Sequence, residues 1–486
     1  MTPRTCALLG AAALLMAACH PEAPRGSLVL TQVPAGVAPP PAATVMDVRY
    51  PPGSRVVLLS PPLRTDAAEV LSGGLAAAGD PCVSWDGRWV YFAGKAAESS
   101  EWQIYRVRAG GGSPERVTRM PGGAMDPAVA AHGELVFSSP VPKAGRQWTS
   151  PEPAALYGQW PGQAPRRLTF APDGAADATA LRDGRILFVS AAAHDGPRGR
   201  RHLCLFTINN DGTEIAAYAG QDDGVDAVRR PRELGDGRIA FLAARSDAPE
   251  ARDWAECVRS AAPFATRANL FAFPSQGCRS VGPTPEGDLL ACVDTRGMEG
   301  RSMAANAAVY RVAPGAAALG APVFEDPRWD SIEATCVARR DEPSGHTSIV
   351  MPGATHGTIL CLNVNDSCDP EQDGGSGRAT QLRVTVLAGG AQPRVLGTVP
   401  VASDGSMLAR LPSGVPLGFD ALDAAGRVLR HQPPVVWLQP GEIRACVGCH
   451  EPRNHSPRNV RPQAVQAEPQ RLDLPPEAAT PRTPAP

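Results

Sequence analysis

Short apolar runs, each entered through a polar turn that ends in glycine, recur along most of the chain at a near-constant interval. Asp86-Gly87-Arg88 leads into Trp89-Val90-Tyr91-Phe92-Ala93. Its echoes are Gly133-Glu134 before Leu135-Val136-Phe137, Asp183-Gly184-Arg185 before Ile186-Leu187-Phe188, Asp236-Gly237-Arg238 before Ile239-Ala240-Phe241, and Glu286-Gly287-Asp288 before Leu289-Leu290-Ala291. The glycines stand at 87, 133, 184, 237 and 287, intervals of 46, 51, 53 and 50 residues. Glycine supplies the backbone freedom of a tight turn, and a short continuous apolar run reads as a strand buried on both faces. A repeat of this length and kind predicts propeller blades. Residues 103–107 and 269–273 fit between the anchors as further strands. With 55–60 and 307–312 as candidate extra strands, the count is six or seven blades over 46–345. A β-sandwich is the structural alternative, but it has no reason to keep such a period.

The pattern changes over 346–435. Residues 378–387 and 394–399 alternate as strands, Ala402-Ser403-Asp404-Gly405-Ser406-Met407 is a turn entering another, and 418–422 and 426–430 flank Asp423-Ala424-Ala425 as a hairpin. This predicts a small β-sandwich-like module. The loop 363–377 is rich in Asn, Asp and Gly but lacks the spacing of a calcium loop, so it reads as a solvated turn. Residues 456–486 hold eight prolines in 31 positions with little apolar content, which predicts a disordered tail.

At the N-terminus, residues 1–18 read as a signal peptide, with Arg4 followed by an apolar run too short to span a bilayer as a mature helix. Leu15-Met16-Ala17-Ala18-Cys19 resembles a bacterial lipoprotein box, with Met16 where Leu or Val is usual. That resemblance implies an acylated Cys19, a lipid-anchored linker over 19–45, and a location on the periplasmic side of a bacterial membrane. His20, in place of an aspartate, favours the outer membrane. The alternative is an ordinary secreted protein cleaved nearby; both lie outside the cytoplasm. No second long apolar run exists, so no other membrane crossing is expected. A net charge of −2 leaves no footprint for nucleic acid, and 486 residues suffice for two or three domains.

Cys446-Val447-Gly448-Cys449-His450 carries the chemistry. C-x-x-C-H is the attachment pattern of a c-type haem: two thiols form thioethers, and the following histidine lies under the iron. With 12 Cys and 9 His in 486 residues, it should arise by chance about 0.006 times. A zinc knuckle would need a second C-x-x-C or an H-x-H, and a redox C-x-x-C would need a strand-to-helix setting. The sequence therefore predicts one covalent haem c in a short segment, 436–455, on Cys446 and Cys449, with His450 as proximal iron ligand. His455 cannot serve as distal ligand, because five residues reach at most about 17 Å and would have to run round the haem edge. His346, Met351, His356 and Met407 are the remaining distal candidates. Setting aside Cys6, Cys19, Cys446 and Cys449 leaves eight cysteines, for which disulfides are the default in an oxidising compartment. Cys361 and Cys368 are close enough for a local staple; the other pairings stay open.

Phrases such as Gly111-Gly112-Ser113-Pro114-Glu115-Arg116-Val117-Thr118 resemble the blades of TolB-like propellers. Leu360-Cys361-Leu362-Asn363-Val364, Val399-Pro400-Val401-Ala402-Ser403-Asp404-Gly405-Ser406, Leu422-Asp423-Ala424-Ala425-Gly426 and Leu438-Gln439-Pro440-Gly441-Glu442 running into the cysteine motif resemble the hydrazine synthase alpha subunit middle-domain family, over roughly 330–453. The resemblance implies a haem c at the edge of a propeller. It does not imply hydrazine synthesis, since that alpha chain carries a further haem domain and this sequence has one C-x-x-C-H followed by a tail. The expected architecture is all-β: a six- or seven-bladed propeller, a sandwich-like module and a short C-terminal haem segment. Electron transfer with a redox partner protein is the favoured function. The alternatives are a haem enzyme or subunit acting on a small nitrogen or oxygen species, and a propeller scaffold with structural haem.

Overall fold

The computed structural model describes residues 22–35, 49–141, 154–191, 202–220, 227–244, 253–273, 277–294, 306–313, 315–366, 377–387, 392–449 and 459–475. Among the described residues six antiparallel sheets form a ring, so the choice between six and seven blades falls to six. Their innermost strands are Trp329–Cys336, Ala77–Val83, Met125–Val129, Ala176–Ala180, Ala227–Glu233 and Cys278–Pro283, for blades one to six. Each inner strand touches that of the next blade, and the sixth returns to the first. The apolar runs seen in sequence are the second strands, buried between blade faces. Leu187 and Val189 of blade four, for example, pack with Ile239 and Phe241 of blade five.

Blade one is built from both ends of the ring. Leu28–Pro34 lies between Trp329–Cys336 and Arg55–Leu59, antiparallel to both. This corrects the expected linker over 19–45, because Val29 and Leu30 are fully buried. The strand lacks the glycine turn that marks the repeat, since its inner neighbour comes from the far end of the propeller. Residues 307–312 likewise add no blade; Ala307–Val312 is the third strand of blade six.

The inner strands share a bulge at one level. Asp80, Asp126, Asp177, Arg230 and Glu333 hold φ of 59°, 52°, 51°, 51° and 61°, a left-handed conformation that costs a non-glycine residue about 1–3 kcal/mol. The freed N–H groups turn to the neighbouring blade: Asp80 donates to the Glu333 carboxylate at 2.9 Å, Asp177 to Asp126 at 3.4 Å, and Arg230 to Asp177 at 3.2 Å. Arg49 bridges Asp126 and Asp177 at 3.2 and 3.5 Å, while Arg230 and the Tyr50 hydroxyl both engage Glu333. Burial alone would lift the Glu333 carboxyl, but Arg230, Thr31 and Tyr50 hold it below the ordinary range. Tyr50 wedges so tightly over Gly79 that a Cβ there would lie 2.5 Å from its ring.

The second unit is a sandwich of two four-stranded sheets. One runs Ile443–Gly448, His356–Asn363, Met407–Pro412, Gln470–Arg471; the other runs Arg394–Pro400, Gln381–Val386, Leu417–Leu422, Val428–Val436. Ile359, Val384, Ala409 and Leu417 meet in its core. Two expected boundaries shift. Residues 443–448, placed in a separate segment, form an edge strand of the sandwich. The tail is ordered over 459–475: Gln470–Arg471 pairs in parallel with Met407–Pro412, and Leu472 joins the core. Two leucines, Leu472 and Leu474, outweigh the prolines around them.

The disulfide default also gives way in the propeller. Cys82, Cys257, Cys278, Cys292 and Cys336 are thiols. Cys19, Cys368 and His450 lie outside the described residues, so neither the lipid anchor nor the Cys361–Cys368 staple is seen.

Candidate functional site

The segment Trp437-Leu438-Gln439-Pro440-Gly441-Glu442 binds the sandwich to the propeller. Trp437, 1% exposed, enters the core between blades three and four and donates its indole N–H to Gly212 at 3.2 Å. The Gln439 amide donates to Leu168 O at 2.8 Å. The Glu442 carboxylate accepts the N–H of Gln439 at 2.7 Å and that of Glu214 at 3.0 Å. Burial lifts its carboxyl above the usual glutamate range, and the two N–H groups only partly offset this.

From this anchor the chain runs directly into Ile443–Gly448, which pairs in parallel with His356–Asn363 on one side and has no strand on its other side among the described residues. Cys446 lies beside Cys361, which lies beside Met407, so the three form a row across adjacent strands. Alternation turns this row toward the sandwich core, where Met407 is 2% exposed. The opposite face carries Leu408, Leu360 and Ala445 in the neighbouring row, with Ile443 69% exposed. The strand stops at Gly448; the backbone bends at Cys449, whose N–H donates to Asp366 O at 3.0 Å.

In an uninterrupted strand, residues three apart face opposite sides, about 10 Å from each other. The bend after Gly448 breaks that alternation, which two thioethers to a single ring require. A porphyrin also needs apolar surface. Cys446 faces the same side as Cys361 and Met407, opposite Ile443 and Ala445, so the apolar surface beside its thiol is the open end of the sandwich core. The residues present thus fit a haem held by Cys446 and Cys449.

The distal candidates separate. Met407 shares the Cys446 row but is a core side chain. Met351, 61% exposed, lies against Gly441 and donates its N–H to Pro440 O at 2.8 Å. His356 sits five positions up its strand from Cys361, about 17 Å away, with Nε2 3.2 Å from Leu472 O and 3.0 Å from the Asp473 carboxylate. His346 lies in the connector against Gly184 of blade four.

Residues 365–451 match the family profile described as hydrazine synthase alpha subunit middle domain. The sandwich carries that family's pattern. Hydrazine synthase subunit alpha of Kuenenia stuttgartiensis is 34% identical over 85 residues, 18% of this chain and 10% of that protein. The chain therefore matches only a small part of that relative's sequence. The solved structure of Kuenenia stuttgartiensis hydrazine synthase superposes with a TM-score of 0.79 at 20% identity, covering 92% of this chain and 71% of that one. TolB from Acinetobacter baumannii gives a TM-score of 0.45 at 12% identity, over 64% of this chain and 66% of that chain. The hydrazine synthase superposition extends the likeness from the matched middle domain to propeller and sandwich together, as fold alone.

Proposed function

We propose that this chain is an exported, membrane-tethered monohaem c-type cytochrome that transfers electrons, with the propeller as its docking platform. The observation that supports this reading is the placement of Cys446 and Cys449 at an open sheet edge, fixed to the propeller by Trp437 and Glu442. Cys446 and Cys449 hold the haem, His450 ligates its iron, and Cys19 carries the lipid. The bound haem supplies a one-electron couple. The chain's own residues orient it: Glu442 and Trp437 set where the strand leaves the propeller, and the bend after Gly448 brings Cys449 out of the strand's alternation. A redox protein on the periplasmic side is the partner.

The likeness of propeller plus sandwich to hydrazine synthase favours a second reading, a haem enzyme or subunit acting on a small nitrogen or oxygen species. One preparation tests both. Expressed in a periplasm with cytochrome c maturation, wild type should retain haem stain on a denaturing gel, and Cys446→Ala/Cys449→Ala should lose it. A colourless wild type that takes up zinc would end the cytochrome reading. Rapid carbon monoxide binding by the reduced protein would favour the enzyme, and its absence the electron carrier. A Cys19→Ala chain should leave the membrane fraction with haem loading intact.

A further inference from the structure

The propeller's central channel, remote from the sandwich strand, opens into a funnel of about 760 Å³. All six inner strands form its wall, the Arg230–Glu333 pair its floor, and the connector at 338–341 its rim. Arg182, Arg232, Arg339 and Arg340 also line it, against the acids Glu233 and Asp341. None of these four arginine guanidinium groups has a carboxylate in contact among the described residues. The Arg232 guanidinium donates to Pro231 O at 2.9 Å, and Arg340 donates to Val83 O while lying 4.5 Å over the Trp85 ring. Arg340 is open to the funnel's water yet surrounded by protein. Burial first, and also the positive charge of Arg232, push its pKa down. Asp80 and Asp177 act on Arg232 from below, but Arg49 and the Arg230 N–H already engage Asp177.

We propose that this funnel binds a small oxyanion, a carboxylate or phosphate held between Arg232 and Arg340. Two like charges facing one concave, water-filled space repel each other until an anion bridges them. The planar guanidinium fork matches carboxylate and phosphate geometry, and the Trp85 face fixes the orientation of one fork. The volume falls within the range of small-molecule sites, about 300–1,000 Å³. Five arginines against three acids leave the cleft net positive, and a low-dielectric wall concentrates that field on the entering anion. The site is independent of haem attachment and stands or falls separately from it.

The test is calorimetric titration of the full chain with inorganic phosphate, and separately with citrate, at constant ionic strength in chloride buffer. Saturable one-site binding of either anion is expected, weakened about tenfold or more in Arg232→Gln and in Arg340→Gln. Binding of phosphate identifies an inorganic or phosphoryl ligand, and binding of citrate alone a polycarboxylate. Absence of saturable binding by both anions, or undiminished binding in both variants, would overturn the proposal.

Discussion

The carboxylate of Glu442 accepts the backbone N–H of Glu214 at 3.0 Å, across 228 positions of sequence. The residue that opens the cysteine-bearing strand is thus the one that fastens the sandwich to blade four. Glu442→Gln keeps the shape but turns one acceptor into a donor facing an N–H. It should cost about 1–3 kcal/mol in urea unfolding and speed proteolysis of the 337–350 connector. An unchanged unfolding curve would show that the carboxylate does not hold the interface.

Arg49 neutralises Asp126 and Asp177 at the heart of the ring. Arg49→Met leaves two buried carboxylates facing each other and should cost about 3–5 kcal/mol at pH 7. Burial, and then Asp177, already raise the Asp126 carboxyl. Asp126 should therefore take up a proton as pH falls, and the deficit should shrink toward about pH 5. Thermal melts of variant and wild type at the two pH values check this; an equal deficit at both would refute it.

Burial, and then Glu286, push the Cys336 thiol up to about 11. A raised thiol pKa means that the folded state binds the proton more tightly than the unfolded one. Its contribution to stability is therefore complete below the unfolded value, about 8.5, and is lost as pH rises through 11. Peptide mapping after alkylation at pH 8 should show Cys336 reacting about 100-fold more slowly than an exposed thiol. Rapid labelling in the folded protein would contradict this.

Leu472 packs into the sandwich core and sits against Gly397, where a Cβ would lie 2.9 Å from its methyl group. Leu472→Ala should destabilise the sandwich by about 2–3 kcal/mol, measured by urea titration. Deleting 459–486 should cost at least as much. A deletion with wild-type stability would return these residues to the status of a tail.

The glycine repeat made the propeller legible, and the C-x-x-C-H motif marked the strand that carries the chemistry. A second regularity was equally open to reading and was missed. Asp80, Asp126, Asp177, Arg230 and Ser280 stand seven residues before Gly87, Gly133, Gly184, Gly237 and Gly287. Charge at four of those five positions is the trace of the ring of bulges. The row Met407–Cys361–Cys446 was not legible, because it depends on a parallel pairing between strands distant in sequence, and local alternation does not report partners. Leu28–Pro34 was hidden for the same reason. The funnel arginines come from an inner strand and from the connector, and no local motif joins them.

Thr31 in the first strand bonds to Glu333, 302 positions later. During synthesis the first blade strand to emerge is therefore among the last to find its inner neighbour. Val29 and Leu30 can pair with 57–58 early, but the other edge of their strand stays open until 329–336 is available, and closing so long a loop is slow. In that interval the strand can complete the ring of another nascent copy as readily as its own. Crowded expression should therefore yield exchanged dimers, with each chain lending its first strand to the other.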